Sequence, residues 1–396
     1  MRTNQFRFLA ANGFAVDPFS YGAHDASGLS PALSTLGGRA LWPGHTRLDE
    51  HLHAAWGQDR DQGAVSGGGW RASGTGAADG GSFGATSSSQ RDDGPGFDRQ
   101  VPPGGYVWWY IDALSPDRHF GLTIIGFIGS VFSPYYAWSG RKDPLDHCAI
   151  NIALYGKGTN RWAMTERRRS NLQRSANHLK IGPSQMHWDG QKLSVSVQEI
   201  STPFFKPLIG EVTLEPKGFN THAFPLAQKG QHYWRPIAPV AHVEANFHQP
   251  DLHWQGDGYF DMNWGSGPLE EAFVSWNWSR ASLSHGTSVL YDAQPLEDER
   301  LAMALRFDSS GSFEQFPYPR SAALPRSFWH IQRGTASDDG TASLLTSFED
   351  TPFYTRSLIA SSLYGEPVVG VHESLSLKRF AHPLVKCMLP FRMPRR

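Results

Sequence analysis

The pattern of hydrophobic and polar positions divides the chain near residue 95. Upstream, Ala64 to Ser89 reads AVSGGGWRASGTGAADGGSFGATSSS, almost wholly Gly, Ser, Ala and Thr. Such a stretch holds too little apolar surface to offset the entropy of ordering. Residues 1–95 are therefore expected to be an N-terminal extension, largely disordered toward its end, with WPGH at Trp42–His45 and HLHAAW at His51–Trp56 as pieces of local order.

After Gly96, short runs of aromatic and β-branched residues are broken by Pro, Gly, Asp and Asn, the pattern of strands joined by turns. Val107–Leu114, Leu122–Ile128, His147–Leu154, Leu193–Ile200 and Gly210–Leu214 read as strands, with an Asp-Gly turn at Asp189-Gly190 between two of them. A second set follows at Gly258–Trp264, Phe273–Trp278, Thr287–Asp292, Ala302–Phe307, Phe328–Arg333, Ser343–Phe348 and Gly370–Phe380. Helical periodicity is weak apart from a stretch around Ser357–Ser362. The expectation is an all-β protein of two tandem antiparallel barrel or sandwich domains, 96–250 and 251–391. They would meet near 240–255, where AHVEANFHQPDLHW is hard to place as a regular strand.

Composition narrows the function classes. Charged residues make up only 18% of the chain, and 36 basic side chains balance 37 acidic ones, which removes the electrostatic term that drives nucleic-acid binding. Cys148 and Cys387 follow no disulfide or zinc spacing. Met1–Phe14 has no continuous apolar core of a secretory signal. The longest apolar run, Gly121–Phe132, is short of the roughly 20 residues that span a bilayer as helix. The default is a soluble cytoplasmic protein or one resting on a membrane surface. The 14 Trp, 12 Tyr and 24 Phe rings need burial or a flat apolar ligand.

The densest chemistry lies at Gln255–Gly267, QGDGYFDMNWGSG. In a strand, Asp257, Tyr259, Asp261 and Asn263 share one face, and Phe260, Met262 and Trp264 share the other. The plain reading is an edge strand with a solvated side; the glycines at 256, 258 and 265 favour instead a polar face turned into a cavity. A glycosidase pair of Asp257 and Asp261 fails on reach, because four strand residues span about 13 Å, beyond the roughly 5 to 9.5 Å such enzymes use, and that reading stays open only if Glu270 or Glu271 comes back across a hairpin. In QHYWRP at Gln231–Pro236, His232 and Trp234 share a face and Tyr233 takes the other. His242, Glu244, His248 and His253 match no recognised metal-binding spacing.

HYWRP, GYFDMNWG at Gly258–Gly265, Trp108-Trp109-Tyr110, SWNWSRA at Ser275–Ala281 and HESLSLKRF at His372–Phe380 together resemble the carotenoid 1,2-hydratase family, the hydroxyneurosporene synthases of purple photosynthetic bacteria. The resemblance covers about Gly96 to Phe391. It implies two lipocalin-like β-barrels, cofactor-free addition of water to the terminal C1=C2 bond of neurosporene, lycopene and other acyclic carotenoids, and a site built around Asp261.

Hydrating such an alkene means protonating carbon, so the acid must be neutral at neutral pH, which burial achieves for a carboxyl. Phe260, Met262 and Trp264 would bury Asp261. Trp234 and Tyr259 would hold the carbocation, and His232 would orient Asp261 or place the water. Trp108, Trp109, Tyr110 and Trp264 are candidate substrate-binding rings. No step calls for a nicotinamide, flavin, haem or metal. The other class left open is a lipocalin-like carrier that binds a polyene or lipid without transforming it. The tail Val385–Arg396 mixes apolar and basic residues, as an interfacial anchor would and as the frayed end of the last strand also could.

Overall fold

The computed structural model describes residues 94–227 and 230–396; the low-complexity stretch at 64–89 and the two earlier motifs at 42–45 and 51–56 lie outside the described residues. The antiparallel all-β class expected from composition is the class the chain forms.

Four strands open the first sheet as successive antiparallel neighbours: Tyr106–Leu114 (β1), Gly121–Ile128 (β2), Cys148–Tyr155 (β3) and Arg161–Met164 (β4). A meander follows through Leu172–Ser175 (β5), His178–Ile181 (β6), Ser184–Trp188 (β7), Leu193–Ile200 (β8) and Pro207–Pro216 (β9). The short Phe224–Pro225 (β10) precedes two long strands, His232–Gln249 (β11) and Leu252–Gly265 (β12). These 12 strands make one sheet in the order β4-β3-β2-β1-β12-β11-β9-β8-β7-β6-β5, with β10 on the flank of β11. The order leaves two edges, so the sheet is a curled half-barrel.

Local sequence explains the two kinds of strand. LSVSVQEI in β8 alternates buried and exposed positions, the mark of a strand with one wet face. CAINIALY in β3 is buried throughout, since one face meets the half-barrel core and the other meets the second sheet. The Asp-Gly turn between β7 and β8 forms as expected: the Asp189 carboxylate accepts the backbone N–H of Gln191 and of Lys192, each at 2.8 Å, and Gly190 adopts φ +98°.

The second sheet comprises Phe273–Leu283 (β13), Gly286–Pro295 (β14), Leu301–Phe307 (β15) and Phe313–Phe316 (β16), and later Ser343–Asp350 (β19), Tyr354–Leu363 (β20) and Glu366–Ser376 (β21). Between these groups a separate hairpin forms from Arg320–Leu324 (β17) and Arg333–Ser337 (β18). The order of the seven is β16-β15-β14-β13-β21-β20-β19. Three short helices, Pro134–Trp138 (α1), Leu377–Phe380 (α2) and Pro383–Met388 (α3), cap the ends.

Four expectations need correction. The sheets part after Gly265 and not at 250/251, because β12 pairs with both β1 and β11 and belongs to the first sheet. The segment that resisted a strand reading is the tip of the β11/β12 hairpin, whose polar residues alternate outward. Ser357–Ser362, read as helical, is the middle of β20; its Ser and Ala alternate between faces buried by neighbouring strands, which overrides helix propensity. Phe328–Arg333 is a turn with exposed Phe328, entering β18 only at Arg333.

Candidate functional site

Residues 106–114 and 257–265 run antiparallel with Tyr110 opposite Asp261 and Trp108 opposite Asn263. Alternation sends Trp109, Ile111, Phe260 and Met262 into the half-barrel core. It sends Trp108, Tyr110 and Tyr259 to the opposite face, where Trp276, Trp278 and Tyr291 of the second sheet meet them. Asp261 lies on that second face, between the sheets.

Asp261 is 4% exposed. Its Oδ2 accepts two hydrogen bonds, from the Trp234 indole N–H at 2.8 Å and from the Tyr259 hydroxyl at 2.8 Å. Its Oδ1 is buried and has no hydrogen-bond partner among the described residues. Burial pushes the carboxyl up to about 8, against the pull of the two donors, with the nearby carboxyls of Glu373 and Asp112 adding to the rise. The shift favours the neutral acid at pH 7, and Oδ1, the oxygen without a donor, is the one open to a proton.

Trp234 reaches the acid diagonally across the ladder, from a part of β11 in regular register with β12. It stands opposite Asn263, and the register slips between Pro236 and Ala238. Pro236 pairs with Asp261 and has no N–H to give the ladder, a place proline tolerates at a bulge. The indole is fully buried, with Phe224 at 5.2 Å and Tyr291 at 5.1 Å between centroids. Rings then continue away from the acid: Tyr291 to Trp276 at 6.4 Å, Trp276 to Trp108 at 6.3 Å, Trp108 to Phe132 at 6.5 Å and Phe132 to Phe380 at 5.6 Å. On the other side, Trp278 packs against Tyr259 and Tyr110, each at 5.5 Å.

Beneath these rings lies a charged layer that sequence reasoning missed. Asp112 takes Arg280 on Oδ1 at 2.6 Å and Arg356 on Oδ2 at 3.0 Å. Arg356 also pairs with Glu373, and the Tyr110 hydroxyl accepts from Arg356 at 2.6 Å and donates to Glu373 at 2.9 Å. Asp112, Arg280 and Arg356 are at most 2% exposed. Two guanidiniums face two carboxyls, so the layer is balanced and ties β1 to β13, β20 and β21. The available signal was weak: Glu373 sat in a segment read as a strand and noted for its resemblance but not for chemistry, and Arg356 beside a stretch read as helix.

The structure thus joins Asp261, Trp234, Tyr259, Trp108 and Tyr110, and separates His232, Trp109 and Trp264 from them. His232 stands opposite Gly265, four positions along the ladder from Asp261, and its Nδ1 meets the Tyr106 hydroxyl at 3.0 Å. It cannot orient the acid, and burial lowers it to about 4, leaving it neutral. Trp109 points into the half-barrel core, where its N–H donates to the Pro95 carbonyl at 2.8 Å. Trp264 is on the same far side, stacked on Tyr233 at 5.3 Å with Arg99 over its ring at 3.8 Å. Phe260 and Met262 likewise face away, so the apolar shell around Asp261 comes from Trp234, Tyr259 and the second sheet. Asp257 is exposed, lining a cleft with Lys217 and Ser282.

A family profile described as Carotenoid hydratase CrtC matches residues 124–396. The chain belongs to the carotenoid hydratase family. Within it, an acyclic carotenoid 1,2-hydratase of Thiocapsa roseopersicina is 48% identical, over 94% of this chain and 93% of that one. An enzyme of the same name from Rubrivivax gelatinosus is 44% identical, over 96% of each chain. A crystal structure described as AttH from Nitrosomonas europaea aligns at 15% identity and a TM-score of 0.47, covering 68% of this chain and 92% of that one. The family match begins within β2, leaving out β1, and includes Trp234, Tyr259, Asp261 and the charged residues Arg280, Arg356 and Glu373.

Proposed function

We propose that the protein is a hydro-lyase that adds water across the terminal C1=C2 bond of acyclic carotenoids such as neurosporene and lycopene, with Asp261 as the acid. The observation that carries this reading is the asymmetry of one buried carboxyl, with two donors on Oδ2 and none on Oδ1. The Oδ1 proton passes to C2, the C1=C2 π pair forms the new C–H bond, and C1 is left a tertiary cation. Negative charge then develops on the carboxyl, where the Trp234 and Tyr259 donors already point. Those bonds strengthen as the proton leaves, so they stabilise the transition state more than the ground state. Without them burial would hold the carboxyl higher and make it a weaker acid.

The cation is held by the faces of the surrounding rings, Trp278, Tyr259 and Trp234 foremost, each worth roughly 0.5 to 2 kcal/mol. Water adds to C1, and its surplus proton returns to the Asp261 carboxylate. The acid is restored and the atoms balance with substrate and water alone. His232, by bonding Tyr106, acts as a positioning group for the wall of the site. Because the substrate class is a bilayer hydrocarbon, we place the protein peripherally on the photosynthetic membrane; no helix among the described residues is long and apolar enough to cross one.

Incubation of the purified full chain with lycopene in deuterated water tests the reading. The product is expected to be heavier by one deuterated water and to carry one deuterium at C2. Asp261→Asn keeps the shape and removes the proton, so hydration should fall by at least about a thousandfold while the fold survives. Unchanged lycopene from the parent chain, or a folded Asn variant near the parent rate, overturns it.

A further inference from the structure

Two segments far apart in sequence place large apolar side chains in solvent. On the loop between β8 and β9, Phe204 and Phe205 are 70% and 74% exposed; in the tail, Leu384 and Phe391 are 69% and 86% exposed. The segments are joined directly, for the Thr202 hydroxyl donates to the Arg392 carbonyl at 2.9 Å. Arg392 in turn lies over the Trp162 ring at 4.4 Å, and the Thr202 N–H donates to the Trp162 carbonyl at 2.9 Å. The loop is shaped to present its rings: Ser201 closes it by two hydrogen bonds to the Lys206 carbonyl, at 2.8 and 3.0 Å, and Phe205 is held at φ +51°, a region bulky residues rarely occupy.

The tail is neither a frayed strand nor a free anchor. It folds into α3 and a following turn at Leu389–Phe391, and its end is fastened by Arg395 to Asp146 at 2.7 Å and by the Glu166 N–H to the Pro394 carbonyl at 2.9 Å. Leu384 and Phe391 therefore stand out from a fixed base. The same base closes the file of rings that leads from Trp234 to Phe380, because Lys386 of α3 sits over the Phe380 ring at 5.3 Å. Exposed basic groups accompany the apolar ones, Lys206 beside Phe205 and Arg396 beyond Phe391.

We infer that Phe204, Phe205, Leu384 and Phe391 form the surface by which the protein seats on an anionic lipid bilayer, with Lys206 and Arg396 at the headgroups and the aromatic file opening under α3. The inference rests on the hydratase reading for its substrate and names the face through which that substrate arrives. Aromatic and aliphatic tips flanked by cations are what a leaflet interface accepts, and isolated exposure of four such side chains on one fastened base has no role in the core.

The full chain and two variants, Phe204→Ser/Phe205→Ser and Leu384→Ser/Phe391→Ser, are floated with vesicles of phosphatidylcholine and phosphatidylglycerol, and separately with phosphatidylcholine alone. The parent chain should float with the mixed vesicles and less with the neutral ones, and each variant should lose at least about tenfold in bound fraction. Hydration of lycopene supplied in vesicles should fall in parallel, while hydration of detergent-dispersed lycopene stays at the parent rate. Variants that float as the parent does overturn the inference. So does a parent chain that ignores vesicles and self-associates through these residues, which would assign the surface to a second copy. Failure to hydrate even dispersed lycopene counts against the hydratase reading alone, since flotation judges the surface by itself.

Discussion

The two faces of β1 and β12 work in different surroundings although they alternate residue by residue. On one, Trp109, Ile111, Phe260 and Met262 join a core of aliphatic and aromatic side chains. On the other, Tyr110, Asp112, Tyr259 and Asp261 meet rings, guanidiniums and carboxyls of the second sheet. The first face specifies the fold by burial; the second spends burial on shifting a proton equilibrium. The proposed protonation of carbon draws on both, a rigid strand and a desolvated acid on the same backbone.

Breaking the charged layer should produce a large effect on stability. Arg356→Met leaves Asp112 and Glu373 without their shared partner in a dry interior, so chemical denaturation should show a loss of about 3 to 5 kcal/mol. Adjacent residues then separate the two faces. Phe260→Ala should cost a comparable 3 to 5 kcal/mol, roughly, through the cavity it leaves, with kcat of the folded protein little changed. Tyr259→Phe should alter stability far less but slow hydration by about 10- to 100-fold, the worth of roughly 1.5 to 3 kcal/mol for a bond to a developing charge. Equal effects of the two substitutions on rate would erase the distinction between the faces.

The gentlest probe is pH. In the proposed mechanism Asp261 acts when protonated, and burial raises it to about 8, so the rate should be level through neutrality and fall about tenfold per unit above that value. In Tyr259→Phe the descending limb should move to higher pH, because the lost donor favoured the ionised form. A limb that moves to lower pH in titrations of initial rate would mean that another group supplies the proton.

Much of this was legible from alternation alone. Period two placed Tyr259 and Asp261 on one face and Phe260 and Met262 on the other, and the aromatic segments carried the family resemblance. The same rule, carried through, excludes Trp109 when Trp108 and Tyr110 are chosen, and excludes Trp264 as a neighbour of Asp261. What alternation within one strand cannot give is the partner strand. Trp234 reaches Asp261 because it is paired with Asn263, one same-face position away, and His232 misses it by four ladder positions; pairing sets both. Asp112, Arg280, Arg356 and Glu373 lie on four strands spread over most of the chain, and only the docking of two sheets brings them together. The surface joined at Thr202 and Arg392 is equally non-local.

The alternation of β12 also limits how this protein can evolve. Substitutions in Leu252–Gly265 are graded, because a changed side chain stays on its own face. Insertion or deletion of one residue upstream of Asp261 is not graded: with period two it would turn the carboxyl into the half-barrel core and a Phe or Met toward the substrate. Length variation among descendants should therefore collect in loops such as the β8–β9 connection. The distance in residues from the β11–β12 tip to the acid should behave as an inherited constant, tolerant in spelling and intolerant in count.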